Sequence, residues 1–254
     1  MTQEELDECI YQAAVKGQTD KIRELAAAGA NINAQDEHGR TALRKVSQMG
    51  LYNIMKLLLE LGADPNICDK FNGSALMDIA CSGNAETARL LIEAGANVNN
   101  REWFGRTSLM WAAEHHSKIV RILLAAGADV SLKSNCGLTA LHYAVMNGNG
   151  SSAIMLMAAG ADPNAADSDG LTPLHYTSDF GHTQILRRLV GAGGDIYKPD
   201  GSGRTVLNAL QSNCPKFYGM YLDKLVALAE KTARKRIKKE DASRKTHSGY
   251  EFDI

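Results

Sequence analysis

The sequence predicts an all-α solenoid of stacked helix–turn–helix units, and three observations predict it. A leucine recurs at Leu43, Leu76, Leu109, Leu141, Leu174 and Leu207, with Ile10 as a degenerate first copy. A glycine recurs in the same register at Gly29, Gly62, Gly95, Gly127, Gly160 and Gly193, so the period is about 33 residues, the mark of stacked repeats. One stretch, LTPLHYTSDFGHTQILRRLVGAGGD at 171–195, spells the whole unit.

Each part of that stretch has a local reason. Thr172 suits a helix N-cap, and Pro173 suits the first turn, where a missing N–H costs nothing. Gly181 lets the chain reverse between two short helices, and Gly193 stands where a helix end needs positive φ. A single unit cannot bury its own apolar face, so neighbours must stack into a continuous core.

In chain order, units are expected near 2–35, 36–68, 69–101, 102–133, 134–166, 167–199 and 200–229. In the first, Leu6, Ile10, Ala13 and Ala14 share one helical face, and the other face is polar (Gln3, Glu4, Glu5, Asp7, Glu8), as an array end facing water requires. The second opens with Asp36-Glu37-His38-Gly39-Arg40-Thr41-Ala42-Leu43 and ends with Gly62-Ala63-Asp64-Pro65-Asn66, an ending repeated at Gly160-Ala161-Asp162-Pro163-Asn164.

On these residues the chain resembles an ankyrin-repeat protein over roughly 2–229. The resemblance implies paired antiparallel helices with β-hairpin-like fingers projecting from them, seven units with the outer two as caps, and binding of another protein rather than catalysis. It also implies a hydrogen-bonding role for His142 and His175, which stand in the T-P-L-H tetrad.

Departures from the pattern carry their own expectations. Asn72 replaces the finger glycine of the third unit, an exchange that asparagine tolerates because it visits left-handed backbone. The fourth unit lacks its inter-helix glycine, leaving Glu114-His115-His116-Ser117 to make a tighter reversal. In the fifth, Asn147-Gly148-Asn149-Gly150-Ser151-Ser152 predicts a second helix that starts late and frays. The seventh opens well at Gly203-Arg204-Thr205, and its closing helix runs into KTARKRIKKEDASRK with no finger following, so 230–254 is expected as a basic helical extension with a flexible end.

Composition narrows the function classes. The formal net charge is −1, but residues 231–254 carry eight Lys or Arg against four Asp or Glu, a surplus of +4 that leaves −5 for the rest. The cysteines Cys9, Cys68, Cys81, Cys136 and Cys214 form no ligand cluster and fit a reducing compartment. No signal peptide or membrane-spanning run is visible, which points to the cytoplasm, with the nucleus as an alternative. Asn72 and Asn149 match the glycosylation pattern but are expected as turn residues.

There is no Walker loop and no HExxH, and Gly201-Ser202-Gly203 belongs to a finger turn rather than a dinucleotide fingerprint. His115 and His116 diverge on a helix, which disfavours a shared metal. No cofactor, metal or small-molecule substrate is expected; an enzyme with a spatially assembled site is the weaker alternative, and the chain is expected as a monomer.

The resemblance places partner contacts on the fingertips and first helices. Candidate residues are Arg40, Met49, Phe71, Trp103, Phe104, Arg106, Trp111, His115, Leu138, Tyr143, Met146, Leu171, Tyr176 and Phe180. Phe71, Trp103 and Phe104 fall on two consecutive fingertips, where large rings flanked by Arg40 and Arg106 have the composition of a hot spot. Trp111, Tyr143 and Tyr176 share one offset in three units and predict a ladder of rings, either open to a partner segment or packed between adjacent repeats. Glu37, Glu114, Asp169 and Asp179 at its edges favour some basic character in the partner. The cluster Arg234, Lys235, Arg236, Lys238 and Lys239 reads as a solvated helix end, a nuclear-import signal or an acidic-surface contact. Nucleic-acid binding is disfavoured because the rest of the chain is acidic and the aromatics lie elsewhere, and a nucleic-acid-associated or nuclear regulator using this basic tail is the alternative reading. Phe252-Asp253-Ile254 could enter a carboxylate-capturing groove.

Overall fold

The computed structural model describes residues 1–247; in its last helix the side chains of Arg236 and of residues 239–247 lie outside the described part, as does the 252–254 terminus. Among the described residues there are fourteen α-helices and no β-sheet, only isolated antiparallel bridges joining Gln35 to Thr41 and Pro199 to Thr205. The first four units hold α1 (Gln3–Val15) with α2 (Thr19–Ala27), α3 (Ala42–Gln48) with α4 (Tyr52–Glu60), α5 (Ala75–Ser82) with α6 (Ala85–Glu93), and α7 (Ser108–His115) with α8 (Ser117–Ala125). They are followed by α9 (Ala140–Met146) with α10 (Gly150–Ala158), α11 (Pro173–Asp179) with α12 (Thr183–Gly191), and α13 (Val206–Asn213) with α14 (Pro215–His247).

The first helices pack in one continuous row from α1 to α13, and α6, α8, α10, α12 and α14 pack in a second row behind them. The core lies between the rows. Leu43, Leu76, Leu109, Leu141 and Leu174 are fully buried there, whereas Leu207, with no further unit beyond it, is half-buried. Burial of each such leucine stabilises the stack by about 1.5–3 kcal/mol, which is why the spacing of leucines dictates the fold.

Five of the six finger turns repeat one device, the fourth unit's through Glu102, while in the fifth unit Ser134 accepts from Leu138 N alone. The Asp36 carboxylate accepts from the amides of His38 and Arg40, Asp69 from Phe71 and Gly73, Asp167 from Asp169 and Leu171, and Asp200 from Ser202 and Arg204. In the third finger Asn72 takes the left-handed position with φ 60°, as expected.

A second device ties loop to loop. The amide of Asn33 donates to Gly62 O and accepts from Asp64 N; Asn66, Asn99 and Asn164 do the same one unit further along each time. At the array's start the side chains of Gln3 and Asp7 substitute for the bridge by meeting Gly29 O and Asn31 N. Ser131 stands where the fourth unit would place this asparagine, and it turns back onto Asp129 instead. Ser131→Asn is therefore expected to bridge to Gly160 and Asp162 and to stabilise the array by about 1 kcal/mol in thermal unfolding. An unchanged midpoint would show that the joint is already satisfied by Lys133, whose ammonium reaches Ala166 O at 2.8 Å.

The fourth unit reverses as tightly as its missing glycine predicted: His116 alone separates α7 from α8, and its ring reaches back to Cys81 O at 2.8 Å. The fifth unit corrects the sequence. α10 neither starts late nor is shortened: it begins nine positions after Leu141, as α12 begins nine after Leu174. Asn149 supplies the reason, since its side chain caps the helix through Ser152 N while its amide group donates to Ala113 O. A capping bond of this kind outweighs the low helix propensity of one glycine.

α14 closes the stack with Phe217, Tyr218, Leu225, Val226, Leu228 and Ala229 against the core, then continues without a break across position 230.

Candidate functional site

The fingertips form an ordered row because each is hydrogen-bonded to the next. Lys70 N donates to His38 O, Trp103 N to Phe71 O, Asn135 N to Phe104 O, Ser168 N to Cys136 O and Gly201 N to Asp169 O, all between 2.8 and 3.2 Å. On this row Phe71, Trp103 and Phe104 remain 63 %, 65 % and 68 % exposed. The rings of Phe71 and Trp103 touch across the two fingers, with centroids 5.9 Å apart at 51°. The Phe71 and Phe104 amides donate to the carboxylates of Asp69 and Glu102, and the Trp103 amide donates to Phe71 O, so the rings are displayed rather than stowed.

The arginines beside them are arranged differently from the expectation. Arg40 pairs with Asp36 at 2.8 Å, and Arg106 pairs with Glu114. The guanidinium of Arg106 also lies over the Trp111 ring at 3.5 Å from its centroid and 4.3 Å from that of Tyr143. Arg204 meets Asp179 and Asp200, both at 3.2 Å. These cations are thus neutralised within the protein, and so are Glu114 and Asp179. The acidic edge expected to favour a basic partner is reduced to Glu37 and Asp169.

The predicted ring ladder divides into two parts. Tyr143 is buried, and Trp111 is half-covered by Arg106, so both serve inter-unit packing. Tyr176 belongs to a separate cluster: it meets His142 edge-on at 5.8 Å, stacks on Phe180 at 6.3 Å and donates its hydroxyl to Asp167 at 2.6 Å. Burial, and then the Asp167 carboxylate, push the Tyr176 hydroxyl well above its usual range, so it stays protonated.

Other expected contacts divide by exposure. Met49, His115 and Phe180 are exposed, while Leu138 and Leu171 in the fingers and Met146 at the end of α9 are half-buried. Arg234, Lys235 and Lys238 are exposed on α14, far along the chain from the fingers; Arg236 and Lys239 lie outside the described side chains.

His142 and His175 behave as structural hinges between units. The Thr139 and Thr172 amides donate to Nδ1 of these rings at 3.1 Å, and Nε2 meets the carbonyls of Leu171 and Arg204, respectively. A carbonyl accepts only, so both rings are neutral with the proton on Nε2. Burial pushes the His142 pKa down to about 4, and burial lowers that of His175 as well.

Arg44 is the residue the sequence reading missed. It stands at the tetrad's histidine position and contacts Gly73 O, the counterpart of the carbonyls that His142 and His175 reach. It also pairs with Asp69 at 2.5 Å and Asp78 at 2.6 Å. Burial works against ionisation of Asp69, but hydrogen bonds from Gly73 N and Arg44 hold its carboxyl below the usual range. The signal was present as a departure, Thr41-Ala42-Leu43-Arg44, within an otherwise regular tetrad. Among the described residues no group of His, Cys, Asp and Glu is placed to hold a metal, and no helix is long and apolar enough to cross a membrane.

The family model described as "Ankyrin repeats (3 copies)" matches residues 2–69, 46–134, 123–200 and 141–216. Among solved structures, the ankyrin repeat domain of Bcl-3, titled a unique member of the IkappaB protein family, superposes with a TM-score of 0.73 at 25% identity, covering 79% of this chain and 92% of that one. An ankyrin repeat domain from Acinetobacter baumannii AYE superposes with a TM-score of 0.69 at 33% identity, covering 73% of this chain and 98% of that one. No curated protein sequence matches the chain. With family matches spanning nearly the whole stack and the finger, tetrad and loop devices in register, the chain belongs to the ankyrin-repeat family.

Proposed function

We propose that the stack binds another protein along its finger and first-helix side, as a scaffold, an adaptor or a competitive inhibitor, and performs no chemistry of its own. Ankyrin repeats are in general protein–protein interaction modules. The observation that carries the reading for this chain is the exposure of Phe71, Trp103 and Phe104 on consecutive, hydrogen-bonded fingertips. Rigid display of large rings removes much of the ordering cost of association, and such rings dominate interface energetics.

Met49, His115 and Phe180 extend the contact along the first helices, with Leu138, Met146 and Leu171 beneath it. Arg40, Arg106, Trp111, Tyr143 and Tyr176 support that surface from within. Because its charges are mostly paired internally, the partner is anchored by apolar groups and its capture depends little on salt. In this reading the chain acts as a monomer in the cytoplasm or nucleus.

Trp103→Ala combined with Phe104→Ala is expected to weaken partner capture at least about thirtyfold, the consequence of losing roughly 2 kcal/mol or more at a hot spot. Helicity and thermal midpoint should stay at the parent's values. If the double variant unfolds, the rings are structural; if it folds and binds normally, the partner does not use the fingertips.

A further inference from the structure

We infer that the outward face of α14 is a docking surface for the phosphate backbone of a nucleic-acid duplex, independent of the finger row. Lys224, Lys231, Arg234, Lys235 and Lys238 are all exposed, and their spacing places them within a sector of about 100° on one side of the helix. Tyr218, Leu225 and Ala229 point the opposite way, into the stack. The stripe runs for about 21 Å at 1.5 Å per residue. Its edge holds the exposed Asp223 and Glu230, and Glu230 reaches Arg234 only loosely, at 3.8 Å. Lys224 also lies 5.6 Å from the Tyr221 ring.

The choice of occupant follows from what the stripe lacks. Between Lys224 and Lys238 its sector carries only Ala227 as an apolar group. An acidic protein helix would have to bind through exposed ion pairs, which contribute little each and do not offset the cost of association without apolar anchors. An anionic membrane would attract these cations only within a Debye length of its surface, and this face offers no apolar margin to insert and strengthen that hold. A duplex differs because each phosphate neutralised releases condensed counterions, so a row of cations suffices with no apolar contact. Four of the five cations are lysines, point charges that suit a backbone rather than bidentate reading of bases. The acidity of the rest of the chain disfavours nucleic acid at the level of composition. The helix changes that balance by setting the cations on the side turned away from the stack.

The test is fluorescence anisotropy of the full chain with a labelled duplex of about 20 base pairs. Binding is expected in the range of about 10⁻⁴–10⁻⁶ M near physiological salt, with a log–log salt slope of about −4 and a roughly 10²–10³-fold loss between about 50 and 200 mM. A chain carrying Lys231→Gln, Arg234→Gln, Lys235→Gln and Lys238→Gln together is expected to lose at least about tenfold at the lower salt, with its circular dichroism melt unchanged. The Trp103→Ala, Phe104→Ala chain should bind the duplex like the parent, which separates this surface from the fingertips. The inference is overturned by absence of duplex binding at low salt, by a flat salt dependence, or by a quadruple variant that binds as well as the parent. Retention on phosphatidylserine vesicles or polyglutamate in place of the duplex would overturn it too.

Discussion

Replacing Arg44 with methionine is expected to destabilise the array by about 3–5 kcal/mol, the effect of removing one partner from a buried ion cluster. The wild-type guanidinium sits between Asp69 on the third finger and Asp78 on α5, and it also donates to Gly73 O. Without it, both carboxylates lose their cation at the joint between the second and third units, keeping as donors only the Phe71 and Gly73 amides for Asp69 and the Gln48 side chain for Asp78. In a stacked array each unit is held only by its neighbours, so the loss falls on one interface. Urea unfolding should then show an early phase in which the first two units separate from the rest. The companion chain Arg44→Met, Asp69→Asn, Asp78→Asn removes the stranded charges and should recover much of the loss. A single Arg44→Met that unfolds within about 0.5 kcal/mol of the parent would show that water already satisfies the two carboxylates.

Acidification is the second large effect. The folded His142 titrates at about 4 against an ordinary 6.5, so the unfolded chain binds the extra proton first. Stability is therefore complete above about pH 6.5 and declines as pH falls towards about 4, by about 3 kcal/mol for this residue. His175 is shifted in the same direction and adds to the same decline. Protonation would place a second N–H on Nδ1 opposite the Thr139 amide, so the contact that ties the ring to the start of α9 is lost. His142→Met copies the residues that the third and fourth units carry at this position, Met77 and Met110. Its melts between pH 7 and 4 should be flatter than the parent's. An equal slope would mean that the decline originates elsewhere.

The repeat period, the helix pairs and the finger turns were legible in the sequence because each depends on residues within a few positions of one another. Thr41, Ser74 and Thr107 cap their own helices, and Asp36 or Asp200 closes its own turn. The exposed rings at Phe71, Trp103 and Phe104 were legible for the same reason, since a turn has little room to bury them. The late start expected for α10 failed where a local propensity met a capping bond and a contact to Ala113, 36 positions away.

What only the tertiary structure decided is which charged and aromatic groups are spent between units. Arg106 reaches Tyr143, Arg44 reaches Asp78 34 positions on, and His142 reaches Leu171 29 positions on. Stacking carries position i against position i plus about 33, so a side chain's partner stands one full repeat away, invisible to any local window. The sequence by itself thus determined the stack and its display of rings. The packing of one unit on the next determined which charges face outward, because burial between units forces each charged group to find its counterpart there.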